Sequence, residues 1–127
     1  MTKEEKTEMN RQYVRQIVPF ANYFKDFKRT LPRDVLQKIY QVFVLIMTEE
    51  VIPAKFFRSI ESVAGLYEIR VEVHSNIYRI FCCFDEGQLV ILFNGFQKKT
   101  QKTPTAQIAM AKRIMSEYFD LKNKMTK

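Results

Sequence analysis

Residues 65–104 constrain the fold more than any other part of this chain. Three segments of roughly eight residues are rich in β-branched and aromatic side chains, and polar breaks at 75–76 and 85–87 separate them. This pattern favours strands over helix because such side chains pack well on a pleated surface. The stretch is therefore predicted to form a three-stranded antiparallel sheet with two hairpins.

Strand register decides which side chains share a face of this sheet. A three-residue loop at 85–87 and a two-residue loop at 75–76 would place Arg70 opposite Phe81 and Arg79 opposite Glu72. One side is then apolar and is predicted to be the core: Tyr67, Ile69, Val71, Val73, Tyr78, Ile80, Cys82, Val90, Leu92 and Phe96. The other side carries too many charges for a buried core: Glu68, Arg70, Glu72, Arg79 and, if the third strand runs on, Lys99. A three-residue loop at 74–76 would separate Arg70 from Arg79, so the grouping depends on the register.

The length of the chain predicts a single domain. The 127 residues, 46% of them apolar, suffice for one hydrophobic core but not comfortably for two. Polar termini suggest a flexible arm at 1–12 and a tail at 121–127. Because the N-terminus lacks a signal peptide and no apolar run approaches the length of a membrane span, the protein is predicted to be cytoplasmic.

The charge of the chain favours a polyanionic partner. The formal net charge is +7, although a solvated basic surface explains the same value. No acidic residue lies between Gly87 and Ser116, whereas five basic residues do: Lys98, Lys99, Lys102, Lys112 and Arg113. That window is the predicted anion-facing surface.

Cofactor and metal chemistry finds little support. The adjacent Cys82 and Cys83 point to opposite faces of a strand and cannot staple the fold. His74 is the single histidine, and a phosphate-binding glycine loop is excluded because the chain has only three glycines. We therefore predict neither a cofactor nor a metal.

The remaining segments add helices to the sheet. A short strand within 13–18, a short amphipathic helix around 20–28 and a longer helix from near Thr30 precede a connection at 54–64 that can include a strand. A final helix is predicted from Thr105 to about Tyr118. The predicted fold class is α+β: a mainly antiparallel sheet of three or four strands, two N-terminal helices packed on one face, and a C-terminal helix.

Three motifs in this order resemble a known family. They are Leu-Tyr-Glu-Ile-Arg at 66–70, Tyr-Arg-Ile at 78–80 and Phe-Gln-Lys-Lys-Thr-Gln-Lys-Thr-Pro at 96–104. Together they resemble the phage-derived, HigB-like branch of the RelE superfamily of toxins from toxin–antitoxin pairs. The resemblance covers 65–119 well and the upstream helices more loosely.

This resemblance implies a RelE-like toxin that enters the ribosomal A site and cleaves messenger RNA. A cognate antitoxin, expected to be of the helix-turn-helix type, would silence it. In metal-free cleavage the 2′-hydroxyl attacks the phosphate, and fixed cations stabilise the charge that develops there. The motif positions assign Arg70 and Arg79 to the phosphate and Lys99 to the leaving group or an adjacent phosphate. The assigned RNA and ribosome contacts are Lys98, Lys102, Lys112 and Arg113.

The general base is the least defined role. Glu68 or Glu72, flanked by cations, could accept a proton through a water molecule or only orient the arginines. A purely structural role for the two arginines is the alternative, since Arg70 and Arg79 could simply pair with these glutamates across strands. Two other functions fit a similar scaffold: a ParE-like inhibitor of DNA gyrase, and a non-catalytic phage or host module that binds RNA or protein.

Overall fold

The computed structural model describes residues 13–98 and 104–125. Five strands and three helices follow one another in the order β1 (Gln16–Pro19), α1 (Tyr23–Lys28), α2 (Arg33–Thr48), β2 (Phe57–Ser59), β3 (Tyr67–Val73), β4 (Asn76–Asp85), β5 (Leu89–Lys98) and α3 (Thr105–Met125). The strands form one sheet in the order β1-β5-β4-β3-β2. None of the helices in the described ranges has the length and apolar character that crossing a membrane requires.

The α+β class is confirmed, but the strand count is not. The predicted antiparallel hairpins are β3-β4 and β4-β5, and β2 extends the sheet antiparallel to β3. At the other edge β1 runs parallel to β5, with Gln16 opposite Leu89 and Pro19 opposite Leu92. The sheet is therefore mixed and five-stranded rather than mainly antiparallel with three or four strands.

One face of the sheet packs against α2. This helix buries an apolar stripe consisting of Val35, Ile39, Val42, Phe43 and Ile46. The stripe meets the sheet residues Ile69, Val71, Tyr78, Ile80, Cys82, Val90 and Leu92. These seven were predicted for the core side, and their inward position is confirmed.

A bulge in β5 changes which residues share a face. Cys82 lies opposite Leu92, but Ile80 lies opposite Gly95, so β5 contains one more residue than β4 over this stretch. The extra residue reverses the alternation of side chains beyond it. Phe96, predicted to join the α2 side, therefore lies in the core on the other side.

The second face has a core of its own beneath α3. Its buried members include Leu66, Phe81, Cys83, Ile91, Phe93, Ala111 and Ile114. The helix continues to Met125 rather than ending near Tyr118, and this extension brings Lys122 to Asp85 at the β4-β5 turn, 2.6 Å from Nζ to Oδ1. The expectation that only one face is buried was thus wrong, because α3 covers part of the other.

Candidate functional site

The α3-side face of the sheet is divided along its strands. The part beneath α3 is apolar, and the part beyond it carries four cations and two carboxylates. The cations are Arg58, Arg70, Arg79 and Lys98, here called the basic cluster, and the carboxylates are Glu68 and Glu72. Side chains directly opposite one another in antiparallel strands point to the same face, so strand pairing alone gathers these groups from four strands.

The two predicted arginines are direct cross-strand neighbours. Arg70 lies opposite Arg79, rather than opposite Phe81 as the predicted register had it. The difference arises at the turn, where His74 and Ser75 form the two-residue loop with φ of 51° and 69°. Two consecutive positive φ values suit the tight hairpin turn that matches strand twist.

Arg79 is buried in an ion pair with Glu68. Only 5% of each residue is exposed, and Nη1 of Arg79 donates a hydrogen bond to Oε1 of Glu68. Within the described ranges, Nε of Arg79 and Oε2 of Glu68 have no hydrogen-bond partner. The expectation that this face is too charged to be buried was therefore wrong for Arg79. Its charge is held in place by a carboxylate that is itself inaccessible.

Arg70 and Arg58 are the more accessible arginines of the basic cluster. The side chain of Arg70 is 22% exposed and lies 3.9 Å from the carboxylate of Glu72, which is 56% exposed. Arg58 lies opposite Glu68 on the short strand β2, is exposed, and donates from Nε to the carbonyl of Ala54 at 3.3 Å. Sequence reasoning missed Arg58 because only the pairing of β2 with β3 brings it here.

Lys98 joins the arginines through the bulge in β5. It lies opposite Ile77 on β4, on the same face as Arg79. Burial lowers the pKa of Lys98, and the neighbouring charges of Arg79, Arg70 and Arg58 lower it further, against an opposing effect of Glu68. The predicted residues Lys99 and Lys102 lie outside the described residues.

The two predicted basic residues on α3 are not part of the basic cluster. Lys112 and Arg113 are both exposed on the helix. Arg113 lies close enough to Tyr23 of α1 for its charge to oppose the rise in the pKa of that phenol, which burial and Glu117 produce. Arg113 therefore lies where α3 meets α1, away from the basic cluster.

Other candidate proton donors and acceptors have structural roles. Nε2 of His74 lies 3.0 Å from a carboxylate oxygen of Asp34 at the exposed hairpin turn. The hydroxyl of Tyr118 donates to Asp85 at 2.5 Å, and burial together with this carboxylate raises the pKa of Tyr118 far above its ordinary value. No cluster of His, Cys, Asp or Glu suited to a metal occurs in the described part of the chain.

The chain was compared with known proteins. The profile of a phage-derived family, the Gp49-like proteins (DUF891), matches residues 26–116. This range begins in α1, includes four of the five strands and the whole basic cluster, and ends within α3. No curated protein matched the chain significantly.

Proposed function

Because the chain belongs to the phage-derived Gp49-like family, we propose that it is the toxin of a type II toxin–antitoxin pair and a metal-independent endoribonuclease that cleaves messenger RNA on the ribosome. That family is in general RelE-like and toxin-like. The proposal places the chain on the HigB-like branch, with a helix-turn-helix antitoxin as its protein partner. A gyrase-directed toxin and a binding-only module are the competing outcomes of the experiment below.

The observation that carries the proposal is the basic cluster. Four cations face two carboxylates on one half of a sheet face, so the site has a local excess of positive charge. Burial lowers the pKa of Lys98 most, and repulsion from Arg79, Arg70 and Arg58 lowers it further. A phosphodiester would relieve this repulsion, and guanidinium groups can each hold two of its oxygens.

Each cation of the basic cluster has its own proposed role in cleavage. Arg70, partly exposed and backed by Glu72, binds the scissile phosphate, and Arg58 holds an adjacent phosphate. Arg79 adds fixed positive charge behind them, positioned by Glu68. Lys98 takes the role first assigned to Lys99, because its lowered pKa makes it a better proton donor to the leaving oxygen than an ordinary lysine.

Glu72 is the stronger candidate for the general base. Its carboxylate is exposed and sits beside Arg70, whereas that of Glu68 is buried against Arg79. Tyr118 is unsuitable because its hydroxyl donates to Asp85 at the β4-β5 turn, outside the basic cluster. The site therefore depends strongly on the alignment of the 2′-hydroxyl, which a ribosome could impose on the messenger; alignment alone can contribute roughly 7–11 kcal/mol.

The test compares one transcript in two forms. Purified protein is incubated with naked RNA and with the same RNA on translating ribosomes, and the ends are mapped by primer extension. We expect site-specific cleavage on ribosomes only, lowered on the order of a hundredfold in Arg70→Ala. Lys38→Ala, an exposed lysine on the sheet's other side, serves as the control and should cleave normally.

Equal cleavage of both forms would indicate an ordinary ribonuclease. Intact RNA in both, with inhibition of gyrase in a supercoiling assay, would select the ParE-like alternative. Intact RNA without inhibition of gyrase would favour the non-catalytic module that only binds RNA or protein.

A further inference from the structure

A cavity of about 750 Å³ opens beside the basic cluster, at the edge of β5 that β1 leaves unpaired beyond Leu92. It lies between α1, the end of β5 and the first turns of α3. Its volume is in the range of small-molecule sites, and polar amides and aromatic rings contribute to its wall. Asp26 is the sole charged side chain among the described residues that line it. The wall is therefore suited to a neutral, hydrogen-bonding ligand group rather than to a phosphate.

Asn94 is the unusual residue of this wall. It is 4% exposed, and its Nδ2 donates to Oε1 of Gln107 on α3 at 3.3 Å. Its Oδ1 is buried and has no hydrogen-bond partner within residues 13–98 and 104–125. Leaving a buried acceptor unpaired costs about 1–3 kcal/mol. Because Asn94 also lines the cavity, rotation of its amide would present Oδ1 to a ligand that supplies the missing donor.

The Asn94–Gln107 amide pair retains hydrogen-bonding groups that can recognise a ligand. Two amides joined by one hydrogen bond retain one acceptor and at least one donor, whichever way each amide is oriented. The edge of a nucleobase offers the complementary donor and acceptor side by side. Tyr23 and Tyr78 also line the cavity and provide aromatic rings for the base to contact.

Strand geometry connects the cavity to the basic cluster. Phe96 lines the cavity and lies directly opposite Arg79, while its ring stacks on Phe81 at 5.5 Å. Lys98 follows two residues later, which is roughly 7 Å along a strand. A ligand with a neutral heterocycle at one end and a phosphate at the other can therefore reach both sites.

We propose that this cavity binds the base of a ribonucleotide whose phosphate lies on the basic cluster. The inference rests on the proposed function, since it takes RNA as the substrate, and adds that the protein selects the cleavage position by reading a base. Gln107, and not only the cations, would then determine where the messenger is cut.

The test is an NMR titration of ¹⁵N-labelled protein. The probes are the four ribonucleoside 5′-monophosphates and ribose 5-phosphate, which lacks a base. At least one nucleotide should shift the side-chain amide signals of Asn94 and Gln107, whereas ribose 5-phosphate should shift only groups near Arg70 and Lys98. Gln107→Ala should weaken binding of that nucleotide roughly 3- to 10-fold, the loss of one neutral hydrogen bond, and leave ribose 5-phosphate unaffected. Gln37→Ala, at an exposed amide on α2, is the matched control.

The outcomes separate this inference from the proposed function. If nucleotides and ribose 5-phosphate produce the same shifts and none at the two amides, the base site is refuted while the phosphate site stands. If the amides respond but no messenger is cleaved on ribosomes, the cavity is a nucleotide site and the nuclease proposal falls. If no probe shifts the two amides or the groups near Arg70 and Lys98, both the base site and the phosphate site are refuted.

Discussion

Replacing Arg79 tests whether the buried pair with Glu68 is structural, functional or both. Arg79→Met leaves the side chain's volume but removes its charge, so the carboxylate of Glu68, 5% exposed, loses its ion-pair partner inside the protein. Breaking a buried pair from one side destabilises by about 3–5 kcal/mol. Arg79→Met together with Glu68→Leu removes both charges, and such replacements are often neutral or stabilising by about 1–4 kcal/mol. The double variant should therefore be more stable than the single one.

Urea unfolding followed by circular dichroism measures the difference. With an m-value of about 2 kcal/mol/M, a loss of about 4 kcal/mol lowers the unfolding midpoint by about 2 M. Arg70→Met is the control, because the exposed pair with Glu72 at 3.9 Å should contribute less than about 1 kcal/mol. The reasoning is refuted if Arg79→Met unfolds within about 0.5 M of the parent protein, or if adding Glu68→Leu restores nothing.

The same double variant separates stability from function. If the charge of Arg79 supports cleavage, a well-folded double variant should still lose activity in the ribosome assay. Retained cleavage by this variant would remove both buried charges from the mechanism and leave Arg58, Arg70 and Lys98 as the cations that act on RNA.

Three further predictions concern the fold around the site. Gly95→Ala should destabilise by about 1–3 kcal/mol in urea unfolding, because a β-carbon there would lie 2.4 Å from the ring of Phe27; adding Phe27→Leu should recover part of the loss. The pKa of Asp85 is lowered, chiefly by its hydrogen bond from Lys122, so this carboxylate stabilises the fold above its ordinary pKa near 4 and progressively less as pH falls below it. Asp85→Asn should therefore lose most stability at neutral pH, and the gap to the parent should shrink in acid. Burial raises the pKa of Cys83 to about 12, so alkylation by iodoacetamide at pH 8, followed by mass spectrometry, should be slow in the native protein and fast in urea.

Local patterns in the sequence predicted much of the site. The alternation of apolar and charged residues in β3 and β4 put Arg70 and Arg79 on one face, and the structure keeps them there although the turn differs. A change of register by an even number of positions preserves the face of every side chain, which is why an incorrect loop still gave a correct grouping.

The errors come from features with no local signal. The bulge in β5 depends on how one strand fits against its neighbour, so the shift of Phe96 to the α3 side and the recruitment of Lys98 could not be read from alternation. Arg58 was missed because its strand has three residues, too few to show a period. The burial of Arg79 depends on how Glu68, Arg70 and Phe96 pack around it from the neighbouring strands, which is a property of tertiary packing.

The parallel pairing of β1 with β5 bears on how the chain is made. These two strands are separated by most of the sequence, so closing the sheet at this edge is a high-contact-order event. During synthesis at 5–20 residues per second, β1 waits roughly 4–15 s for its partner strand. We therefore expect β1 to join the sheet last, after the β3-β4 hairpin has formed. An activity that needs the completed sheet is then absent from the nascent chain until β5 has been synthesised.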